Sequence, residues 1–153
     1  RGKHSMTRQI ERSALVHHSA EEVFHLVSDV ERYPEFLPWC GGAVLHEQGG
    51  DQLVASLDVE RGGLKQRFTT RNHLMPAESI RMELVDGPFE HLQGLWQFRA
   101  LRADACRVTL SLEFAVQNGL AQMAFSGVFA QAANTMVDAF CRRARALHEV
   151  EGQ

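Results

Sequence analysis

The chain has 153 residues, 44% of them hydrophobic and 23% charged, with 16 Lys and Arg against 19 Asp and Glu. That length suits one domain burying roughly 68–70% of the surface its unfolded chain exposes, and the composition excludes collagen, coiled coil and disorder. A net charge of −3 argues against a protein built mainly to track nucleic-acid phosphates, DNA included, while leaving room for a local basic patch.

Arg1 to Ser5 read as a cloning remnant ahead of a natural start at Met6, so one domain is expected over residues 6–150. Arg8, Glu11 and Arg12 interrupt any apolar leader. Alternation over residues 8–17 predicts a first strand. Ser19-x-x-Glu22 then forms a capping box ahead of Val23, Phe24, Leu26, Val27 and Val30, which share one face of a short helix. Pro34 and Pro38 limit the stretch from Glu31 to Trp39 to one broken helical turn.

Beyond it the period becomes two. Leu53, Ala55, Leu57 and Val59 share a face, and Arg61-Gly62-Gly63 turns the chain into Leu64, Phe68 and Leu74. Ile80, Met82 and Leu84 predict the next strand. The turn at Asp86-Gly87-Pro88 leads to Leu92, Gly94, Trp96, Phe98 and Ala100. In the last strand Cys106, Val108, Leu110, Leu112, Phe114 and Val116 all fall on one face, the pattern of an antiparallel sheet wet on its other side.

No charge occurs from Phe114 to Val137, but Gln117, Asn118, Gln122, Gln131 and Asn134 rule out a membrane span, and Gly119 marks a strand-to-helix junction. A helix from about Leu120 to Val150 follows, with Phe125, Val128, Phe129, Ala132, Met136, Phe140, Ala144 and Leu147 as its apolar stripe. One strand, a short helix, about six strands and a long helix make an α+β fold with that helix on one sheet face.

The motifs for chemistry are missing. No phosphate-binding glycine loop, nucleophile elbow or zinc-ligand pair occurs, and His17 and His18, adjacent on a strand, point to opposite faces. Cys40, Cys106 and Cys141 are too widely spaced for a metal site and fit a reducing cytoplasm. Strand parity turns Glu60, Glu83 and Glu113 outward, so no internal acid–base pair is expected and the protein reads as a binder rather than an enzyme. A cyclase-type enzyme stays open if distant groups converge.

Parity instead places Gln66, Thr70 and Asn72, and Arg12 on the first strand, on the inner face. Either a β-bulge reverses the parity or these groups orient a ligand in an apolar cavity. Tyr33, Phe36 and Trp39 in the Pro-broken segment, with Phe89 after its turn, form a loop cluster that serves as a packed lid, lines a mouth or faces a membrane.

The stretch Tyr33-Pro34-Glu35-Phe36-Leu37-Pro38-Trp39-Cys40, the turn Asp86-Gly87-Pro88-Phe89 with Leu92 and Trp96-x-Phe98, and Phe140-x-x-Arg143-Ala144 together resemble the coenzyme-Q-binding START-like family. That family is grouped with polyketide cyclase/dehydrase-like domains in the SRPBCC superfamily, and its bacterial members include ribosome association toxins. The resemblance implies a helix-grip fold, a curved antiparallel sheet wrapped round the C-terminal helix and an elongated cavity. Its leading implication is a non-catalytic carrier of ubiquinone or another isoprenoid lipid, cytoplasmic or peripheral to the inner membrane, that supports respiration and needs no cofactor. The competing implication is binding to the large ribosomal subunit and a block on subunit joining.

The candidate cavity residues are Tyr33, Phe36, Leu37 and Trp39 from the broken segment, and Gln66, Phe68, Thr70, Asn72 and Leu84 from the central strands. Phe89, Trp96, Phe98 and Phe114 come from the later strands, and Phe125, Phe129, Met136, Val137 and Phe140 from the helix. Leu84, Phe114, Phe129 and Val137 are expected to touch the lipid tail, and the donors Gln66, Thr70 and Asn72 to meet the acceptors of the quinone head.

Overall fold

The computed structural model describes residues 7–151, and side-chain surroundings for residues 7–147. The expected remnant and start, residues 1–6, lie outside the described residues. Strand β1 (Arg8–Val16) leads to helix α1 (Ala20–Ser28) and a 3-10 turn (Val30–Glu35). Strands β2 (Cys40–Gly49), β3 (Gln52–Arg61), β4 (Leu64–Met75), β5 (Ser79–Asp86), β6 (Phe89–Arg102) and β7 (Ala105–Val116) follow, then helix α2 (Leu120–Glu151). All seven strands form one antiparallel sheet in the order β1-β7-β6-β5-β4-β3-β2.

Local chemistry sets these boundaries. Ser19 Oγ accepts the Glu22 N–H while the Glu22 carboxylate accepts the Ser19 N–H, the reciprocal cap expected for α1. Gly119, at φ +132°, turns β7 into α2, where the Met123 N–H reaches the Gly119 carbonyl. At 32 residues α2 runs about 48 Å, so it crosses the concave face of the sheet and packs on β1, β7 and α1. Val23, Phe24 and Val27 of α1 and Phe125, Phe129, Val137 and Phe140 of α2 are buried against that face, with Val108, Leu110 and Phe114 beneath them. This is the expected α+β helix-grip architecture.

Two expectations on the strands change. Strand β2 was not placed by periodicity, because two register shifts, between Cys40 and Gly42 and between Leu45 and Glu47, break its alternation. Arg12 has inward parity but lies on the edge strand β1 and is exposed, so it is no cavity group.

Candidate functional site

Aromatic side chains fill the space between sheet and helix in two groups. Toward the start of α2, Phe129 contacts Phe114 at 4.8 Å, Phe89 at 5.0 Å and Phe68 at 5.5 Å between ring centroids, with Phe125 against Phe89. Further along, Phe140 meets Phe36 at 5.2 Å, Tyr33 at 5.3 Å and Trp96 at 5.4 Å, and Phe98 stacks on Trp96. Nearly all these contacts are edge-on, a favoured geometry for aromatic pairs.

Between the two groups an apolar cavity of about 50 Å³ remains. Val30, Tyr33 and Trp39 form one wall, and Phe129, Ala132, Ala133 and Met136 of α2 form another. The sheet closes it with Ala55, Leu57, Phe68, Thr70, Asn72, Met82, Leu92, Trp96, Leu110 and Leu112. A water needs about 10–15 Å³ of such space, so the cavity admits about four waters and falls well short of the ~150 Å³ that takes a benzene ring. The cavity is compact rather than the expected elongated tunnel, because phenylalanines pack against both ends of it.

Of the candidate residues, Tyr33, Trp39, Phe68, Thr70, Asn72, Trp96, Phe129 and Met136 line this cavity. The others do not. Phe36, Phe98 and Phe140 belong to one aromatic plug, and Phe89, Phe114 and Phe125 to the other. Leu37 and Val137 are buried in ordinary core, and Leu84 is half-buried at its margin. Gln66 lies two residues beyond Phe68 toward the β3–β4 turn, half-buried, with Phe68 between it and the cavity. Of the four residues expected to touch a tail, only Phe129 reaches the void.

The residues missed by sequence explain why a void exists. Ala55, opposite Thr70 in the sheet, and Ala132 with Ala133 on α2 put small side chains on facing surfaces. Gly94 acts the other way, letting two wall side chains close in: a Cβ there would come within 2.5 Å of Met82 Cε and 2.8 Å of Leu112 Cδ1. Runs of small residues at inward positions were the available signal.

Polar groups in the walls are few. Thr70 Oγ1 donates to Asn72 Oδ1 at 2.8 Å, and the Asn72 amide nitrogen has no protein partner among the described residues. Trp39 Nε1 is likewise a buried donor without an acceptor. Tyr33 is the titratable side chain of the wall; its hydroxyl donates to the Val27 carbonyl at 2.5 Å, and burial raises its pKa well above the usual phenol value. Two residues of the cavity wall thus carry neutral donors without a partner among the described residues, chemistry suited to a carbonyl or ether acceptor. A serine–histidine contact lies on the other sheet face, where His46 Nε2 is 2.7 Å from Ser56 Oγ. That serine is buried and also meets Thr69 Oγ1 at 2.5 Å.

Arg143, on α2, ties the helix to the broken segment. Its Nη2 donates to Glu35 Oε1 at 2.5 Å, and its guanidinium lies 4.9 Å from the Phe36 ring centroid. Of the clustered arginines near the end of α2, Arg142 and Arg145 remain exposed. No described helix is long and apolar enough to cross a membrane.

Residues 16–141 match the family described as polyketide cyclase/dehydrase and lipid transport. The chain belongs to this family. It is 50% identical over 143 residues to the ribosome association toxin RatA of Pseudomonas aeruginosa, covering 94% of this chain and 99% of that protein. A more distant relative, the mitochondrial coenzyme Q-binding protein COQ10 homolog B of Xenopus laevis, is 26% identical over 136 residues. That match covers 86% of this chain and 56% of the frog protein. Among solved structures, a START superfamily protein from Mycobacterium smegmatis superposes with a TM-score of 0.75 at 24% identity, covering 91% of this chain and 98% of that one. The names of the sequence relatives thus point to different partners, while the solved structure shows the fold alone.

Proposed function

We propose that this protein associates with the ribosome, binding the large subunit and blocking subunit joining. The observation that carries the reading is the 50% identity to a ribosome association toxin, sustained over 99% of that protein's length. It reverses the order of the two functions implied by the sequence motifs, which put the quinone carrier first. The cavity supports the reversal, since its space suits a few waters rather than a quinone with its tail. A binder rather than a catalyst also fits walls whose titratable group, Tyr33, is held protonated by burial.

The test is pelleting of the purified protein with isolated ribosomal subunits. Stoichiometric recovery with the large subunit, weakening steeply as salt rises, is the expected result. Recovery in the supernatant at low salt would refute the reading.

A specific observation keeps a ligand-binding reading beside it. Trp39 Nε1 and the Asn72 amide nitrogen are donors without protein acceptors at an apolar cavity. Such donors favour a small acceptor group, or the head of an isoprenoid quinone whose tail displaces Phe129 or Phe68. Native mass spectrometry of the purified protein checks this: a co-purifying lipid supports it, and bare protein that also fails to take up added ubiquinone counts against it.

A further inference from the structure

On the solvent face of the sheet, Arg99 of β6 and Arg107 of β7 are direct cross-strand partners, and both are exposed. Opposed residues in an antiparallel pair lie about 4.5–5.5 Å apart at Cα, and like charges so placed destabilise the sheet. Neither guanidinium has a carboxylate within ion-pair distance among the described residues. Elsewhere on this face the arginines are paired: Arg67 with Asp58 at 2.7 Å, Arg71 with Glu47 at 4.0 Å and Arg81 with Glu83 at 4.0 Å.

The surroundings of the pair are neutral. Its row continues to Leu15 on β1, which is 50% exposed, and the next row carries Ser13, Thr109, Gln97 and Ser79. Asp104, in the β6–β7 turn, is engaged by Arg102 at 3.0 Å. Glu78, exposed in the β4–β5 turn, accepts the Phe98 N–H through its carbonyl oxygen, and its carboxylate makes no ion pair with Arg99 among the described residues. Along β1 the nearest outward carboxylate, Glu11, is two rows away, about 14 Å at 3.4 Å per residue. That exceeds the screening length of about 8 Å at physiological salt. Two unneutralised guanidiniums among hydroxyl and amide donors are costly to the free protein and complementary to a polyanion.

We propose that the Arg99–Arg107 face, with Ser13, Thr109 and Gln97 as neutral donors beside it, docks on the phosphodiester backbone of ribosomal RNA. The proposal rests on the ribosome reading and adds the surface responsible. It is compatible with a net-acidic chain, because the docking surface needs only a local pair of cations and not a basic surface overall. Contacts of this kind position the protein without reading bases, so RNA shape rather than sequence supplies the register.

The test is fluorescence anisotropy of the dye-labelled protein titrated with isolated large ribosomal subunits over a series of salt concentrations. The proteins compared are wild type, Arg99→Gln/Arg107→Gln and Arg142→Gln/Arg145→Gln. The first variant is expected to bind about tenfold or more weakly, with the slope of log affinity against log salt reduced by about two. The second is expected to stay within about twofold of wild type, as its charges lie on α2. Thermal unfolding separates recognition from folding: removing a like-charge pair leaves Tm equal or higher, whereas a structural role would lower it.

Wild-type affinity and salt slope in Arg99→Gln/Arg107→Gln would overturn this surface while leaving ribosome binding intact. Wild-type protein that fails to bind large subunits at any salt would overturn both. Phosphatidylglycerol vesicles form the final arm: a variant that loses vesicle binding but keeps subunit binding would assign the patch to membranes and refute the proposal.

Discussion

Thr70 and Asn72 offer a double-mutant test of whether the polar groups of the cavity serve the fold or an occupant. Both are buried, and the Thr70 hydroxyl donates to Asn72 Oδ1 at 2.8 Å. Thr70→Val keeps the side-chain shape and strands that oxygen, which costs about 1–3 kcal/mol. For a chain of this length each kcal/mol is worth about 2–4 °C, so Tm should fall by about 2–12 °C. Asn72→Leu strands the Thr70 hydroxyl in the same way. The combined Thr70→Val/Asn72→Leu protein leaves neither partner unpaired and buries more apolar surface around the void. It should unfold within a few degrees of wild type, or above it, giving a coupling energy close to the sum of the two single losses, about 2–6 kcal/mol. Urea and thermal unfolding of the four proteins measure it. Strictly additive losses would refute the reasoning, since they would mean that each group is satisfied independently of the other. If the pair couples as expected and the double variant takes up less quinone than wild type, these groups are retained for an occupant rather than for stability.

Three further outcomes follow from packing and charge. Gly94→Ala should cost less than about 1 kcal/mol, because Met82 and Leu112 both line the cavity and can retreat into it. Gly87→Ala, at φ +148° with Phe68 Cβ only 2.8 Å from the new methyl, should cost about 1–3 kcal/mol, and the reverse order in urea unfolding would contradict the packing described. Arg143→Ala should lose about 1–3 kcal/mol and Arg143→Met roughly half of that, since methionine keeps the stem over Phe36 but not the contact with Glu35; equal losses in thermal unfolding would deny the packing share. Asp58 is held below the usual carboxylate pKa, chiefly by its hydrogen bond from Arg67. Its contribution is therefore complete above about pH 4, the unfolded value, and disappears as pH falls through the lower folded value. Asp58→Asn should flatten that part of a Tm-against-pH curve, and an unchanged acid limb would contradict the assignment.

The fold was legible wherever periodicity is clean. Strand β7, with Cys106 to Leu112 alternating strictly, and the capping box at Ser19 could be read without coordinates because each depends on local geometry alone. Strand β2 could not, since its Gly41-Gly42 entry, polar His46-Glu47-Gln48 stretch and two register shifts hide the period of two. The site was less legible for a deeper reason. Apolar periodicity says which residues face inward, and not whether a phenylalanine lines a void or fills it; Phe114 and Phe129 share that ambiguity and resolve it differently. The void depends on facing small residues, Ala55, Ala132 and Ala133, whose meeting is a property of the tertiary fold. Arg99 and Arg107 are eight residues apart in sequence, and only the register of the β6–β7 pair sets them opposite one another.

Light scattering during the association of isolated ribosomal subunits tests the central claim most directly, because joining raises the scattered intensity. With the protein equimolar to the large subunit, the amplitude of joining should fall in proportion to the protein added and recover as salt weakens phosphate contacts. Full joining amplitude in the presence of a large excess of folded protein would contradict the account.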